Sequence, residues 1–416
     1  MAHNEQPVIV YVGGFELPDR NAAAQRVLNN ARIFRALGFR PVLVGVSRER
    51  ACDGKLYPGN SGEAAFEAWE TGYARSGSQW LRTIVTDAPL RQLPDQANIE
   101  PRSIAAVICY NHPTVAQARI ARLARRWGAA AIADCTEWYG VRSWTSPANV
   151  VKNVDTVARM RLLNPKMDGL ITTSPYMTGF YSSVGRPLLE IPTLIETPST
   201  AVEPSSFFRE NGDLALFSTG PSIPAWATAE DVHDRIDWII DLLDETAIRG
   251  GRFVLTVPGI DREHFLAVFP HCREKLDRLG TAVRFLGRIP RAELLQLQER
   301  SAFALTLRTD TRVTRAGFPT KYSEAISYGT PVIANNMMSV SPYRQEGRTG
   351  FTIDPHDREG AVAKLMDILA MTDEEISNMK RYCRSSGLFS PAAFELATRA
   401  FLSVILTKSE KVEKMY

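Results

Sequence analysis

Short apolar runs recur along the chain and alternate with longer segments in which apolar residues follow helical spacing. Runs that are apolar along their whole length are typical of strands in a parallel sheet that is covered on both faces. The first 200 residues contain the runs PVIVYVGG, PVLVGVS, AAVICYN, AAIADC and GLITTS. Helical spacing is found between them, in LPDRNAAAQRVLNNARIFRALG and VAQARIARLARRWG. This order predicts a doubly wound α/β domain.

The same rhythm begins again after Thr197–Asp213, a segment rich in Pro, Ser and Thr that we interpret as a linker. Its strand-like runs are LALFSTG, RFVLTVPG, AVRFLGRIP, SAFALTLR and PVIAN. Its helical segments are AEDVHDRIDWIIDLLDET, RAELLQLQER, KYSEAISYG and REGAVAKLMDILAMT. The pattern therefore predicts two Rossmann-like domains, at residues 1–200 and 201–390. A C-terminal helix in residues 391–416 could cross back to the first domain.

Composition and charge narrow the class of protein. A chain of 416 residues is long enough for two sizeable cores. Its 49 basic and 46 acidic residues leave a charge of +3, too small to indicate a nucleic-acid partner. The cysteines are scattered without metal-binding spacing, and neither a signal sequence nor an apolar run of about 18 residues is present. We expect a cytoplasmic protein, with peripheral contact at the inner face of the cell membrane left open.

The richest chemistry lies in GFPTKYSEAISYGTPVIAN, Gly317 to Asn335, and in the strand end before it. Arg308 ends that strand, Lys321 follows a Gly-Phe-Pro turn, and Glu324 lies near the start of a predicted helix. A helix start offers free N–H groups and a partial positive charge, so together with two cations it suits a diphosphate. Glu324 can accept hydrogen bonds from ribose hydroxyls.

A simpler interpretation of the same residues stays open at this point. Lys321 and Glu324 are three positions apart and could form a surface ion pair. Gly329 and Pro331 could merely end a helix.

Taken as a whole, the segment resembles the donor-binding signature of the retaining glycosyltransferases of family 4, in the subgroup with a Phe-Pro-Thr-Lys turn before a Glu-containing helix. Similar segments elsewhere are NAAAQRVLNNARIFRALG, DCTEWYG, GLITTSPYMTGFY and LGRIPRAELLQL. The resemblance implies a GT-B fold, in which two Rossmann-like doubly wound parallel-sheet domains face a cleft. It also implies a nucleotide-diphosphate sugar as co-substrate and no metal or other cofactor.

The predicted site residues, taken from the motif and from the resemblance together, fall into two groups. The donor-binding part comprises Gly13, Gly14, His112, Gly220, Arg288, Arg308, Pro319, Thr320, Lys321 and Glu324. The catalytic part comprises Arg308, Lys321, Asp134 and Glu137.

Two positions depart from the family pattern. Many relatives carry a sugar-contacting glutamate eight residues before the ribose-binding one, and here that position is Ala316. Relatives also often carry a basic residue after the first strand of the second domain, whereas STGPSIPAWATAED has neither Lys nor Arg. Phosphate binding would then fall to Arg308 and Lys321, with Arg312 or Arg315 as helpers.

Loops that follow strands of the first domain supply the remaining candidates, because open parallel sheets bind ligands at the carboxyl ends of their strands. Gly13 and Gly14 permit close approach of the backbone, or simply form a tight turn. The segment DCTEWY, from Asp134 to Tyr139, offers carboxylates and aromatic rings to an acceptor sugar, and Asp134 or Glu137 would act as the base or orient the acceptor. The alternative is that the segment caps the next helix and packs its rings in the core. For His112 the two alternatives are a contact with a sugar and a structural role. For Arg26 they are a contribution to phosphate binding and a position in solvent.

The resemblance therefore implies a hexosyl transfer, with retention of configuration, to a carbohydrate, lipid-linked or small-molecule acceptor in glycan or cell-envelope polysaccharide synthesis. GxSxG, P-loop, HExxH and complete GxGxxG motifs are missing, which disfavours the corresponding enzyme classes. The alternatives are a non-catalytic nucleotide-sugar-binding or scaffold protein and another GT-B enzyme, such as an epimerase or phosphorylase.

Overall fold

The computed structural model describes residues 6–138, 147–196, 208–220, 223 and 227–407. The chain divides into two units, each with its own sheet and core. The first unit comprises Met1–Leu194, Ala316–Phe318 and Pro391–Tyr416, and the second comprises Ile195–Arg315 and Pro319–Ser390.

The first unit is built around an eight-stranded sheet. Its strands are Val8–Gly13 (β1), Arg40–Ser47 (β2), Tyr57–Pro58 (β3), Glu67–Gly72 (β4), Ile104–Tyr110 (β5), Ala130–Cys135 (β6), Gly169–Thr172 (β7) and Leu188–Glu190 (β8). Its helices up to β8 are Ala22–Ala36 (α1), Gly77–Thr83 (α2), Ala88–Gln96 (α3), Thr114–Arg126 (α4), Pro147–Ala158 (α5) and Pro175–Tyr181 (α6).

The strand order is β3-β4-β2-β1-β5-β6-β7-β8, and every neighbouring pair is parallel except β3 with β4. β1 lies inside the sheet, and all six of its residues are buried. Ile9 and Tyr11 belong to the core on one face, whereas Val8 and Val10 belong to the core on the other. Burial on both faces explains why this strand is apolar at every position.

The second unit has a seven-stranded sheet. Its strands are Arg209–Glu210 (β9), Asp213–Phe217 (β10), Phe253–Pro258 (β11), Val283–Gly287 (β12), Phe303–Thr306 (β13), Val332–Ala334 (β14) and Gly350–Thr352 (β15). Its helices are Ile236–Ile248 (α7), Arg262–Val268 (α8), Arg273–Leu279 (α9), Arg291–Arg300 (α10), Arg312–Ala316 (α11), Thr320–Ser327 (α12), Arg358–Leu369 (α13) and Asp373–Ser385 (α14).

The order in this sheet is β12-β11-β10-β13-β14-β15, all parallel, with the short β9 antiparallel to β10. The carboxyl ends of β10 and β13 are therefore neighbours, and the loops that leave them carry several of the predicted donor residues. Two parallel-sheet α/β domains confirm the predicted fold class.

One helix begins later than the sequence pattern indicates. Periodicity predicts a helix from Ala229, but α7 begins at Ile236. Residues 233–235 are held in an extended conformation instead, because Arg235 N–H donates to Leu307 O at 2.8 Å and Thr309 N–H donates to His233 O at 3.0 Å. This pairing with the segment after β13 outweighs the local helical preference of the run.

The C-terminal segment forms a last helix, Glu395–Leu406 (α15), which packs against α1 and β8 of the first unit. Of the interpreted linker, residues 197–207 lie outside the described residues, and Arg209–Glu210 forms β9. Within the described residues, every helix is too short or too polar to span a membrane.

Candidate functional site

The segment before α7 and the loop after β13 lie side by side in the second unit. Asp234 and Arg308 form an isolated antiparallel bridge there. The backbone of Arg308 is also fixed from the other side, because its N–H donates to Asn335 Oδ1 and its carbonyl accepts from Asn335 Nδ2, both at 2.9 Å. Asn335 follows β14, so the backbone of Arg308 is held between the segment before α7 and the end of β14.

The carboxylate of Asp234 joins the two cations that the sequence predicts for diphosphate binding. Lys321 Nζ lies 2.8 Å from Asp234 Oδ2, and Arg308 Nε lies 2.8 Å from Asp234 Oδ1. The contact between Arg308 and Asp234 is a close ion pair, and the Nε atom of Arg308 is buried. Lys321 also donates to the carbonyls of Thr219, at 2.9 Å, and Gly220, at 3.5 Å. We refer to Asp234, Arg308 and Lys321 as the Asp234 cluster.

The cluster carries one negative and two positive charges, a net charge of +1. Burial alone would raise the pKa of Asp234, but Lys321 and Arg308 outweigh it and hold that pKa below its ordinary value. The side chains of Arg308 and Lys321 are 17% and 29% exposed. An anion from solvent can therefore reach both cations.

The cluster lies beside the start of α12, where Lys321 is the second residue. Pro319 occupies the N-cap position, and its side chain has no acceptor for the N–H groups of the first helical turn. Those groups and the helix dipole favour a negative ligand. An anion at this place would thus meet both the charge of the Lys321 side chain and the backbone N–H groups of the helix start.

Glu324 has a different partner from the one that the surface-pair interpretation assumes. Arg291 Nη2 donates to Glu324 Oε1 at 2.5 Å, and the glutamate is buried. Lys321 and Glu324 therefore do not pair with one another, and the ion-pair part of that interpretation is wrong, whereas Gly329, with φ of 83°, does lie just beyond the end of α12. Arg291 is the first residue of α10, so it fixes the carboxylate that we predict to contact the ribose.

The other donor residues of this unit lie at varied distances from the cluster. Gly220 follows β10 and is a steric necessity, since a Cβ there would lie 2.5 Å from Ile260 Cγ2. Arg288 is exposed after β12, and Arg315 pairs with Asp310 at 2.6 Å. Thr320 opens α12 directly before Lys321. Residues 221, 222 and 224–226 of the Gly220 loop lie outside the described residues.

In the first unit, Asp134 lies at the end of β6 in a fully buried polar network. Arg26 Nη2 lies 2.8 Å from Asp134 Oδ1, Arg26 Nε donates to Asp134 Oδ2 at 3.0 Å, and Tyr11 donates its hydroxyl to the same carboxylate. Arg26 Nη1 also donates to the carbonyls of Ile191, at 2.8 Å, and Pro192, at 3.1 Å. Arg26 is 4% exposed, so the solvated interpretation of this residue is wrong.

This network gives Asp134 the geometry of an orienting group. A carboxylate with no exposed surface, engaged by a guanidinium and a phenol, does not offer a free lone pair to an acceptor. Burial, followed by the charge of Asp134, raises the pKa of Tyr11 well above its ordinary value. The predicted base role therefore passes to Glu137, which is exposed just beyond β6.

The loop that carries His112 is tied to the loop after β6. Asn111 adopts a left-handed conformation with φ of 41° and donates from Nδ2 to Thr136 Oγ1 at 2.5 Å. Arg159 Nη1 donates to Asn111 O at 2.8 Å. Burial, reinforced by the Arg159 charge, lowers the pKa of His112 to about 4. The imidazole is therefore neutral at pH 7 and can both donate and accept a hydrogen bond.

The low pKa of His112 predicts a loss of stability in acid. At pH 7 the ring is neutral in both the folded and unfolded states. As pH falls below about 6.5, His112 takes up a proton in the unfolded chain, whereas in the folded chain it stays neutral until about pH 4. The free energy of unfolding therefore falls across that window by about 1–3 kcal/mol. Urea unfolding of the wild type and His112→Gln at pH 7 and pH 4 measures the difference. An equal loss in both proteins would contradict this account.

Gly13, Gly14 and the ring of Trp138 complete the first-unit candidates. A Cβ on Gly13 would lie 2.6 Å from Tyr110 O, so β1 and β5 require glycine there for packing alone. Gly14 is exposed with open space around its Cα, which leaves its backbone accessible. Trp138 packs edge-to-face on Phe180, with ring centroids 4.9 Å apart, as the packing alternative expects. Tyr139 lies outside the described residues.

Comparison with known proteins gives a partial family match and a clear fold match. Residues 270–386 match the family model of the glycosyl transferases group 1, a segment that contains Arg291, Arg308, Lys321 and Glu324. A comparison with curated protein sequences gives no match.

Solved structures match the chain over almost its whole length. HepE from Anabaena in complex with UDP has 14% identity and a TM-score of 0.59, with 95% of this chain and 99% of that chain covered. The catalytic domain of starch synthase IV from Arabidopsis thaliana, bound to ADP and acarbose, has 11% identity and a TM-score of 0.67, with 97% and 100% covered. The trehalose 6-phosphate synthase from Burkholderia multivorans has 11% identity and a TM-score of 0.62, with 97% and 99% covered. The chain therefore has the GT-B fold, and the Phe-Pro-Thr-Lys subgroup stays a prediction.

Two residues that organise the candidate site, Asp234 and Arg291, are not predicted as site members from the sequence. Both fall in segments that the sequence pattern predicts to be helical, and Arg291 lies in one of the segments that carry the family resemblance. The one available signal for Asp234 is the polar run EDVHDR, which precedes the apolar face of α7 and suits a loop better than a helix. Nothing in the pattern around Arg291 indicates its partner.

Proposed function

We propose that the protein transfers a glycosyl group from a nucleotide-diphosphate sugar to an acceptor hydroxyl. The observation that carries this proposal is the Asp234 cluster beside the start of α12. It offers two cations and helix N–H groups to one anion, and both cations, Arg308 and Lys321, lie in the segment that matches the glycosyl transferases group 1. UDP and ADP are bound in two of the proteins with the same fold.

In the proposed reaction, the bond between the anomeric carbon and the diphosphate oxygen breaks, and its electron pair stays on the diphosphate. Arg308, Lys321 and the N–H groups of α12 stabilise the charge that develops there. Glu324, oriented by Arg291, accepts hydrogen bonds from the ribose. No bound metal or other cofactor takes part in this scheme.

We assign the acceptor to the strand ends of the first sheet, where neutral His112 and exposed Glu137 lie. The acceptor oxygen attacks the anomeric carbon on the face that the diphosphate leaves, and its proton passes to the departing phosphate or to Glu137. Retention and the hexosyl type rest on the resemblance to family 4. A carbohydrate or lipid-linked acceptor in glycan assembly fits that resemblance.

A second function deserves a test because of Ala316. This residue is fully buried and carries no carboxylate, so the usual donor-sugar contact of the family has no counterpart at that position. A protein that binds the nucleotide sugar without transferring it, as a scaffold in glycan assembly, would need no such contact. Epimerase or phosphorylase activity on the same fold is the remaining alternative.

The proposal is tested by calorimetric titration of the common nucleoside diphosphates, followed by turnover of the matching nucleotide sugars. We expect one base to bind, and Glu324→Gln to weaken that binding by about 3–10-fold through the loss of charged hydrogen bonds to the ribose. Glu293→Gln, at an exposed glutamate of α10, is the matched control and should bind as the wild type does.

The outcomes separate the candidate functions. Binding with release of free sugar or transfer to an added acceptor supports the transferase. Binding without any turnover, together with a co-purifying partner protein, supports the scaffold. Phosphate-dependent turnover indicates a phosphorylase, and interconversion of the free nucleotide sugar indicates an epimerase. No binding by any nucleoside diphosphate would overturn the transferase, the scaffold and the epimerase.

A further inference from the structure

The outward side of α4 in the first unit is strongly basic. Val115, Arg119, Arg122 and Arg126 are exposed and recur at positions i, i+4, i+7 and i+11, so they form one stripe along the helix. The helix contains no acidic residue. Its buried side faces the core through Ile120 and other apolar residues, so the arginine stripe is the solvent face.

The next helix presents apolar residues to solvent. Val151, Val154 and Val157 of α5 are exposed, and so is Leu162 in the π-helical turn that follows. Val154 and Leu162 are 57% and 63% exposed. A helix at the surface of a soluble protein normally turns polar residues outward, so a cluster of large aliphatic side chains there marks an interaction surface.

These two helices and α2 form one continuous surface. Thr114 N–H donates to Asp155 Oδ1 at 2.8 Å, which joins α4 to α5. Lys152 Nζ lies 5.7 Å from the centre of the Trp80 ring, which joins α5 to α2. Arg119 donates to Val85 O at 2.6 Å, beyond the end of α2. We refer to the outward side of α2, α4 and residues 149–162 as the basic apolar face.

Acidic groups do little to neutralise this face. Asp155 is the one acidic residue in residues 147–163, and it is already engaged by Thr114. Asp87, at the start of α3, pairs with Arg91 at 2.8 Å. The exposed Arg122, Arg126 and Arg161 therefore add their positive charge to a surface that also exposes valine and leucine.

We propose that the basic apolar face binds an anionic lipid bilayer. Arginine and lysine attract acidic headgroups, and aliphatic side chains enter the boundary between headgroups and acyl chains. Exposed valines do not favour binding to a nucleic acid, so they argue against a nucleic-acid partner. A protein interface is expected to present exposed aromatic anchors. On this face Trp80 is half-buried, and the exposed apolar side chains of residues 149–162 are aliphatic. The combination found here is complementary to lipid.

The test is co-sedimentation of the full-length protein with large vesicles, either of phosphatidylcholine alone or of equal parts phosphatidylcholine and phosphatidylglycerol. We expect binding to the anionic vesicles at low salt, with a marked loss at high salt because exposed charges are screened. The double variant Arg122→Gln/Arg126→Gln should bind about 25-fold more weakly, about five-fold for each charge near the surface. Val154→Ser/Val157→Ser should also bind more weakly at low salt.

The matched control is Ile248→Ser/Arg381→Gln, which removes one exposed aliphatic and one exposed basic side chain from the second unit. It should bind vesicles as the wild type does, and circular dichroism should show that all variants are folded. Two results would overturn the proposal. One is equal vesicle binding by wild type and both face variants. The other is self-association of the wild type without lipid that the face variants lose, which would assign the face to a second copy of the chain.

Discussion

Replacing Arg26 by methionine is expected to lower the free energy of unfolding by about 3–5 kcal/mol, because the change leaves the Asp134 carboxylate buried without its counter-ion. Asp134 has no exposed side-chain surface, so water cannot compensate for the lost guanidinium. The carbonyls of Ile191 and Pro192 lose a donor at the same time. We expect this to be the largest stability effect of any single substitution discussed here.

Urea unfolding at pH 7 measures the effect, and a double variant shows its origin. Arg26→Met/Asp134→Leu removes both charges and should cost less than Arg26→Met alone, since no unpaired charge remains. Arg91→Met is the matched control. It breaks an exposed ion pair with Asp87 and should cost no more than about 0.5 kcal/mol. If Arg26→Met were as mild as Arg91→Met, the buried network would not hold the strand end as we describe.

The fold was accessible from the sequence because the signal is repeated and local. Strands such as β1, β5 and β10 are apolar at nearly every position, and burial on both sides of a parallel sheet demands that pattern. The start of α7 was not accessible in this way. Its extended lead-in is fixed by hydrogen bonds to Leu307 and Thr309, which are distant in the chain, and local periodicity carries no information about them.

The same limit applies to the candidate site. Lys321 and Glu324 were found because they share one short motif, but their partners lie far away in sequence. Asp234 is 87 positions from Lys321, and Arg291 is 33 positions from Glu324. A single sequence shows which residue types are present, and only the folded sheet shows which strand ends are neighbours.

Asp134 illustrates how burial changes an interpretation. Its place at a strand end, beside two aromatic residues, suits an acceptor-side base as well as it suits a structural group. The sequence cannot rank the two roles because the deciding residue, Arg26, is 108 positions away. Exposed Glu137 is an equal candidate from the sequence, and the burial of Asp134 against Arg26 separates the two carboxylates.

The prediction with the largest effect on activity concerns the Asp234 cluster. Lys321→Ala is expected to weaken binding of the cognate nucleoside diphosphate by about 10–100-fold, the range for loss of a charge-assisted hydrogen bond. It should lower kcat/KM by about 10²–10³-fold, because the charge on the leaving diphosphate grows in the transition state. Lys364→Ala is the matched control, since this lysine of the same unit makes an exposed ion pair with Glu346. Equal affinity in Lys321→Ala and the wild type would remove the lysine from the proposed diphosphate site.

Asp234→Asn should act in the opposite direction on binding. The wild-type carboxylate neutralises one of the two cations before any ligand arrives, and it repels an incoming phosphate. Without its charge, the net charge of the cluster rises from +1 to +2 at nearly constant shape. We expect nucleoside diphosphate to bind about five-fold more tightly, which corresponds to about 1 kcal/mol, the interaction energy of two unit charges about 4 Å apart in water. The same titration that measures Lys321→Ala measures this variant. Weaker binding would mean that the main effect of Asp234 is to hold Arg308 and Lys321 in position, and that orientation outweighs charge at this site.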